Sequence, residues 1–129
     1  MSFKCPKCQQ YALSITSCIE LPPDHHSDEI ALQVVQCPAC RFIGVAVFEE
    51  SRRGSFESDA WEHVGYQITA VSLSEIVDLI RHCPRPHDSQ CDCSSHKALA
   101  ALDPYGRWQG LHRFKLFTSF PMELRHRSL

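Results

Sequence analysis

Alternation of hydrophobic and polar residues over the first fifty positions predicts three short β-strands. The three runs cover residues 11–19, 30–36 and 42–50, and each is long enough for one strand of a small sheet. Pro22 and Pro23 lie between the first two runs, where they interrupt any continuous ladder of hydrogen bonds. We therefore expect a three-stranded antiparallel sheet.

The second half of the chain changes to helical spacing. After residue 72, apolar side chains recur three and four positions apart, which predicts a helix over residues 72–82 with one apolar face. Ser72 and Glu75 match a capping box at its start, and Pro84 ends it. We also expect a helical turn over residues 58–63 and a strand over residues 65–71. The predicted fold class is α+β.

Length and composition place the chain among ordinary globular proteins. It has 129 residues, of which 43% are hydrophobic and 22% are charged, so we expect a small ordered unit rather than disorder. The N-terminus lacks the apolar core of a signal peptide, and the longest apolar run, residues 42–48, is too short to cross a bilayer. We therefore expect a cytoplasmic protein without a membrane partner. Its eight cysteines should stay reduced, which favours metal ligands over disulfides.

Two cysteine doublets with the pattern Cys-Pro-x-Cys are the strongest motif in the sequence. Cys5 and Cys8 form the first doublet, and Cys37 and Cys40 form the second. Two residues between cysteines allow both sulfurs to bind one tetrahedral metal ion, and four thiolates leave no position for substrate or water. The sequence predicts a structural zinc site here, with a rubredoxin-like iron centre as the alternative.

With these doublets, residues 5 to about 50 resemble the zinc ribbons of transcription elongation factors, RNA polymerase subunits and many small bacterial proteins. The resemblance implies a three-stranded sheet held by one zinc ion, and a role in binding nucleic acid or a protein partner. One departure concerns the residue after the second cysteine of each doublet. Zinc ribbons often have glycine there, whereas this chain has Gln9 and Arg41.

A second group of metal-binding residue types follows the predicted helix. Cys83, Cys91 and Cys93 lie within fourteen residues of the chain together with two histidines. We expect a second structural zinc site with His96 as the fourth ligand and His87 as the alternative, which makes two zinc ions per chain. A loop with surface thiols is the rival interpretation.

A catalytic metal site is a further alternative for this cluster. A metal with three protein ligands could activate water, and Asp88 or Asp92 could then act as the general base. The sequence lacks the motifs of zinc deaminases and of metalloproteases. Nothing beyond the proximity of these residues in the sequence therefore supports hydrolysis.

The end of the chain is its one basic region. Residues 97–129 carry six basic and two acidic side chains, although the whole chain has a net charge of −2. Basic and aromatic residues alternate there. This pattern predicts nucleic-acid binding, because basic side chains can contact phosphates and aromatic rings can stack on bases. The residues concerned are Arg107, Trp108, Arg113 and Lys115. The alternative is that the aromatic side chains belong to the core or to a dimer interface.

Together these observations predict a zinc ribbon over residues 1–50 and an α+β segment over residues 51–129 that packs on it as one unit. The expected function is that of a non-enzymatic zinc-binding module that mediates protein–protein contact or self-association. Nucleic-acid binding through the tail is the first alternative. A metal-dependent enzyme or a rubredoxin-like electron carrier is the second.

Overall fold

Five antiparallel strands form one sheet, in which each strand pairs with the next along the chain. The structure is a computed structural model that describes residues 2–51 and 60–125. The strands are β1 (Ser14–Leu21), β2 (Glu29–Gln36), β3 (Ile43–Ser51), β4 (Ala60–Ile68) and β5 (Leu116–Pro121). The helices α1 (Ala70–His82) and α2 (Ser94–Leu99) follow β4, so the fold is mixed α+β.

The three strands predicted from alternation correspond to β1, β2 and β3, but the sheet has five strands rather than three. β3 continues to Ser51 and pairs with β4, so the sheet crosses the predicted boundary at residue 50. The helical turn predicted over residues 58–63 is wrong for residues 60–63, which begin β4, and positions 58–59 lie outside the described residues. The predicted strand over residues 65–71 is confirmed only for residues 65–68, because β4 runs from Ala60 to Ile68. Residues 70 and 71 instead begin α1.

One face of the sheet, here called the helix face, packs against both helices. Strand residues at alternate positions meet side chains from α1 and α2 in one buried cluster, as the two-residue period of a strand requires. Its fully buried members include Ile19, Leu32, Val45, Ile76 and Leu99. This cluster is the main core of the protein.

The other face, here called the opposite face, has a smaller core near the cysteine doublets. Phe3, Leu13, Phe120 and Met122 are buried there beside Cys5 and Cys37, and neither helix contributes to this cluster. Phe3 forms isolated bridges with Leu13 and with Leu124, so both ends of the described chain lie against this part of the sheet. The apolar side chains and the two cysteines are therefore buried together.

The first turn of α1 differs from the predicted capping box. The N-cap is Thr69, whose side chain accepts a hydrogen bond from the Ser72 backbone N–H at 3.2 Å. Ser72 is buried, and its hydroxyl oxygen accepts a hydrogen bond from the Lys115 backbone N–H at 3.0 Å. Ser72 thus joins α1 to the segment before β5. In the part of the chain that the structure describes, no helix has the length and apolar character needed to cross a membrane.

Candidate metal centres

The two cysteine doublets form tight turns of the same construction. In the first, the Cys5 backbone N–H donates to the Gln10 carbonyl, and the Gln9 N–H donates to the Cys5 carbonyl. The second repeats both hydrogen bonds: the Cys37 N–H donates to the carbonyl five residues later, and the Arg41 N–H donates back to Cys37. Each turn therefore directs two sulfur atoms to one side.

Gln9 and Arg41 adopt the left-handed backbone conformation, with φ angles of 67° and 66°. Glycine adopts this conformation without steric cost, whereas a side chain makes it unfavourable. Both turns keep the conformation that glycine would favour.

The four sulfurs of the doublets converge at the end of the sheet. The Sγ atoms of Cys5 and Cys40 are 3.5 Å apart, those of Cys8 and Cys37 are 3.8 Å apart, and all four atoms lie within 4.8 Å of one another. A tetrahedral ion with sulfur bonds of about 2.3 Å requires sulfur atoms about 3.8 Å apart. A disulfide would require about 2.05 Å, and all eight cysteines are free. This group, here called site 1, could hold a metal ion.

Without a cation, four neighbouring thiols cannot all ionise at neutral pH. Burial is the main cause that raises the pKa of Cys5 to about 12. Burial acts in the same direction on Cys37, but N–H groups of Cys40 and Ala39 donate to its sulfur and, with the neighbouring thiols, lower its pKa to about 7. A divalent cation would displace the remaining protons, because metal ligation requires thiolates.

The second cluster, here called site 2, lies at the junction of the two helices. Cys83 is the C-cap of α1, Cys93 is the N-cap of α2, and His96 lies in the first turn of α2. Cys83 Sγ is 3.9 Å from Cys91 Sγ and 3.1 Å from His96 Nδ1, and Cys93 Sγ is 3.4 Å from the same nitrogen. The four donor atoms lie within 4.8 Å of one another. A tetrahedral ion needs sulfur–nitrogen distances of about 3.6 Å.

The backbone of β1 fixes the orientation of the His96 ring. His96 is buried, and its Nε2 atom is 2.8 Å from the carbonyl oxygen of Glu20. A carbonyl only accepts hydrogen bonds, so Nε2 carries the proton and the lone pair of Nδ1 faces the cysteines. This is the arrangement that metal-binding histidines have in proteins. Glu20 also donates its N–H to the Pro86 carbonyl at 2.7 Å, so β1 is held to site 2 at two points.

The thiol pKa values differ widely among the cysteines of site 2, as they do at site 1. Burial raises the pKa of Cys83 to about 11. Burial also opposes ionisation of Cys93, but the backbone N–H of His96 donates to its sulfur and the pKa falls to about 6. Cys93 therefore ionises to the thiolate more readily than Cys83.

The alternative ligand His87 and the proposed bases Asp88 and Asp92 are not members of the four-donor group. His87 is exposed, and its Nδ1 atom is 4.0 Å from the Glu20 carboxylate. Asp88 accepts a hydrogen bond from the Gln90 backbone N–H at 2.9 Å and is 3.8 Å from Arg85. Cys18 is the one cysteine outside both groups, and burial raises its pKa to about 11.

The basic and aromatic residues of the tail have partners within the fold. The Trp108 indole N–H donates to the Leu99 carbonyl at 2.7 Å, and Phe114 is buried in the main core. Arg113 is 3.8 Å from the Glu75 carboxylate and lies 4.9 Å from the centre of the Phe114 ring. Lys115 has an exposed side chain. The geometry favours the interpretation of Trp108 and Phe114 as core residues.

Asp24 is the structural residue that sequence reasoning missed. Its side chain is 0% exposed, and its two oxygens accept hydrogen bonds from the N–H groups of His26 (2.8 Å), Ser27 (2.6 Å) and Trp108 (2.7 Å). Arg107 Nε is 3.5 Å from the same carboxylate. Burial alone would raise the pKa of Asp24, but these donors and the guanidinium hold it below its usual range. The only sequence indication was an aspartate after two prolines.

A second contact also joins the loop between β1 and β2 to the segment before Trp108. The His25 N–H donates to the Gly106 carbonyl at 2.9 Å. Gly106 has a φ of +79°, and a Cβ there would meet the His25 ring. The loop between β1 and β2 is therefore fastened to the turn that precedes Arg107.

Comparison with models of protein families, with curated proteins and with solved structures found no match for the chain. The two clusters must therefore be interpreted from their own geometry.

Proposed function

We propose that this chain is a non-enzymatic zinc-binding module whose two zinc ions are structural and whose sheet associates with a second copy of the chain. The single observation that carries the structural role of the metals is that each donor set has four members. Four protein ligands complete the tetrahedral coordination of zinc and leave no position for substrate. Catalytic zinc sites, in contrast, keep an open position.

Zinc is the metal that suits both donor sets. One set offers four sulfurs, and the other offers three sulfurs and one imidazole nitrogen. Tetrahedral sites of this kind select zinc or iron–sulfur centres, and an imidazole ligand is common at zinc. Site 1, with the three strands beside it, would then be a zinc ribbon whose sheet is extended by β4 and β5.

The proposed zinc ions would connect parts of the chain that are distant in sequence. At site 1 an ion would join the N-terminal segment to the turn between β2 and β3. At site 2 an ion would join the end of α1 to the start of α2, beside the carbonyl of Glu20 on β1. A chain of 129 residues buries a limited core, and such bridges add to its folding free energy.

The opposite face of the sheet is the surface that we propose for self-association. A groove of about 590 Å³ lies on it, lined by apolar and aromatic side chains that include Ile15, Phe48 and Trp61. Trp61 is 62% exposed and stacks on Phe48, with ring centres 6.3 Å apart. An exposed aromatic residue in a concave apolar surface is typical of protein interfaces.

The low charge of the groove favours a second copy as the occupant. Among the residues that the structure describes, Glu50 is the one carboxylate that lines the groove, and His63 is the other titratable group there. Burial lowers the pKa of His63, which favours the neutral ring at pH 7. A nearly uncharged apolar patch can meet its own copy across a two-fold axis, and the net charge of −2 adds little repulsion.

Sedimentation equilibrium of the zinc-loaded protein at about 10–100 μM tests this proposal, because weak dimers have dissociation constants in that range. We expect a monomer–dimer equilibrium, and Trp61→Ser should weaken it by at least about tenfold, as loss of a buried aromatic residue does at interfaces. Phe117→Ser, at a 63% exposed position on the edge strand β5, is the matched control.

A protein that stays monomeric throughout this range would contradict self-association. A dimer that Phe117→Ser disrupts and Trp61→Ser leaves intact would contradict the choice of surface. Zinc-dependent capture of a different protein by the same groove would replace the second copy with that partner.

Nucleic-acid binding through the tail has less support. Base stacking needs accessible aromatic rings, whereas Phe114 is buried in the main core and Arg107 and Arg113 contact carboxylates. An electron carrier would need iron in site 1, and iron–thiolate absorption of the purified protein would identify it.

A further inference from the structure

A second concave region lies on the other side of the sheet from the self-association groove. A cleft of about 520 Å³ opens between the helix face and the segment from Arg107 to Leu116. Val47, Val64, Leu111 and Phe114 contribute apolar surface to it. Its volume is in the range of clefts that hold small organic molecules, and such clefts combine apolar walls with a few polar groups.

Two carboxylates project from the strands that line this cleft. Glu49 on β3 lies directly opposite Glu62 on β4 in the antiparallel register, and both line the cleft. Like charges directly opposite each other destabilise a sheet. Burial raises the pKa of Glu49, and the nearby carboxylates of Asp24 and Glu62 act in the same direction.

Among the lining residues that the structure describes, Arg107 carries the one guanidinium, and it does not interact with Glu49 alone. Arg107 favours ionisation of Glu49, but its Nε atom is 3.5 Å from the buried carboxylate of Asp24. The Arg107 guanidinium is thus shared between Glu49 and Asp24. A further positive charge would relieve the repulsion between Glu49 and Glu62, and a low-dielectric cleft strengthens that attraction.

Aromatic side chains complete the lining. Trp108 and Tyr66 both lie along the cleft. The hydrogen bond from the Trp108 indole N–H to the Leu99 carbonyl, 2.7 Å long, fixes the position of that ring. Aromatic faces attract organic cations, and apolar walls attract the hydrocarbon part of such a ligand.

We propose that this cleft binds an organic cation, namely an ammonium or guanidinium group carried on an aromatic or aliphatic body. Glu49 and Glu62 would bind the positively charged group, and the aromatic and apolar side chains would contact the rest of the ligand. Calcium or magnesium would fit less well, because either ion needs about six oxygen ligands, whereas most of the lining side chains are apolar or aromatic. The site does not rest on self-association, which uses the opposite face.

The two tryptophans allow a direct test, because Trp108 lines the cleft and Trp61 lies on the opposite face. The zinc-loaded protein, labelled with ¹⁵N, is titrated with 2-phenylethylamine while both indole N–H signals are followed by NMR. We expect a saturable shift of the Trp108 signal below about 10 mM, as a fragment of about nine non-hydrogen atoms allows. The Trp61 signal should shift less, because Trp61 lies beside Glu49 and Glu62 but does not line the cleft.

Two matched ligands and two variants separate charge recognition from apolar contact. The neutral 2-phenylethanol and the anionic 3-phenylpropionate should each bind at least about tenfold more weakly than the amine. Glu62→Gln should weaken amine binding by about tenfold on the same basis, whereas Asp78→Asn, at an exposed position on α1, should leave it unchanged. Glu49→Gln provides a second variant in case one of the two does not fold.

Three results would overturn the proposal. The first is the absence of a saturable Trp108 shift with the amine. The second is equal binding of the amine and the alcohol, which would mean an apolar cleft without charge recognition. The third is unchanged amine affinity in a folded Glu62→Gln protein. Failure of self-association would leave all three readouts as they are, so the two proposals are tested separately.

Discussion

At the scale of single residues, Gln9 and Arg41 show that backbone geometry can persist where the residue type differs from the common one. Each follows the second cysteine of its doublet and has a positive φ angle. A side chain in this conformation costs about 1–2 kcal/mol relative to glycine. The surrounding hydrogen bonds and the approach of four sulfurs impose the conformation all the same.

Replacement of either residue by glycine should therefore stabilise the protein. We expect Gln9→Gly and Arg41→Gly each to raise the free energy of unfolding by about 0.5–1 kcal/mol, because glycine removes the steric cost but has more entropy to lose on folding. Urea unfolding of the zinc-loaded protein measures the change. Gln10→Gly, at an exposed neighbouring position with no positive φ, is the control and should give no gain. A loss of stability in both glycine variants would contradict this account.

The residues of site 1 could be predicted from the sequence because the ligands come in two short doublets, each of which fixes its own turn. At site 2 the prediction rested on the concentration of three cysteines and two histidines in fourteen residues. His96, preferred for its place at the start of a helix, is the histidine of the four-donor group, but spacing alone left His87 as a rival. The orientation of His96 depends on the carbonyl of Glu20, 76 residues earlier in the chain. Local spacing contains no information about that contact.

At the scale of elements, the loop between β1 and β2 is joined to the segment before Trp108 by one buried carboxylate. Asp24 accepts hydrogen bonds from both parts of the chain, which are 84 residues apart. The pKa of Asp24 is lower in the folded protein than in the unfolded chain. Its stabilising effect is therefore present above the unfolded pKa of about 3.9 and is lost as the pH falls below that value.

Asp24→Asn should destabilise the protein at neutral pH. The amide can still accept from His26 and Ser27 through its oxygen, but its NH₂ group would face the N–H of Trp108, so a buried donor would lose its acceptor. We expect a loss of about 2–4 kcal/mol in the free energy of unfolding, measured by urea titration at pH 7. Asp78→Asn, on the exposed side of α1, should change it by less than about 0.5 kcal/mol. Equal effects of the two variants would contradict the role of Asp24.

Alternation predicted β1, β2 and β3 well, because each strand has one face in the main core. Alternation did not predict the start of β4. Trp61 and Glu62 are both exposed there, so buried and exposed residues do not alternate. The pairing of β4 with β5 brings Gly65 opposite Phe120, and a Cβ at Gly65 would overlap that ring. Contacts between residues so far apart in sequence leave no local pattern.

At the scale of the whole molecule, the two candidate metal sites lie near opposite ends of β1. Site 1 is next to the end of the sheet where Ser14 pairs with Gln36, and site 2 contacts Glu20 near the other end of the strand. Two ions would thus hold the same strand at both ends, one through the doublets and one through the helices. On this account each ion stabilises a different part of the fold, and each can be lost separately.

Native mass spectrometry with elemental analysis tests this central claim most directly. We predict two zinc ions per chain, in line with the two four-donor groups. Cys37→Ser should retain only the ion of site 2, and His96→Ala should retain only the ion of site 1, because each variant breaks one closed donor set. His87→Ala, at an exposed histidine outside both groups, should keep both ions. A wild-type chain that holds one metal or none, that holds iron in place of zinc, or that loses an ion through His87→Ala and not through His96→Ala would contradict the account.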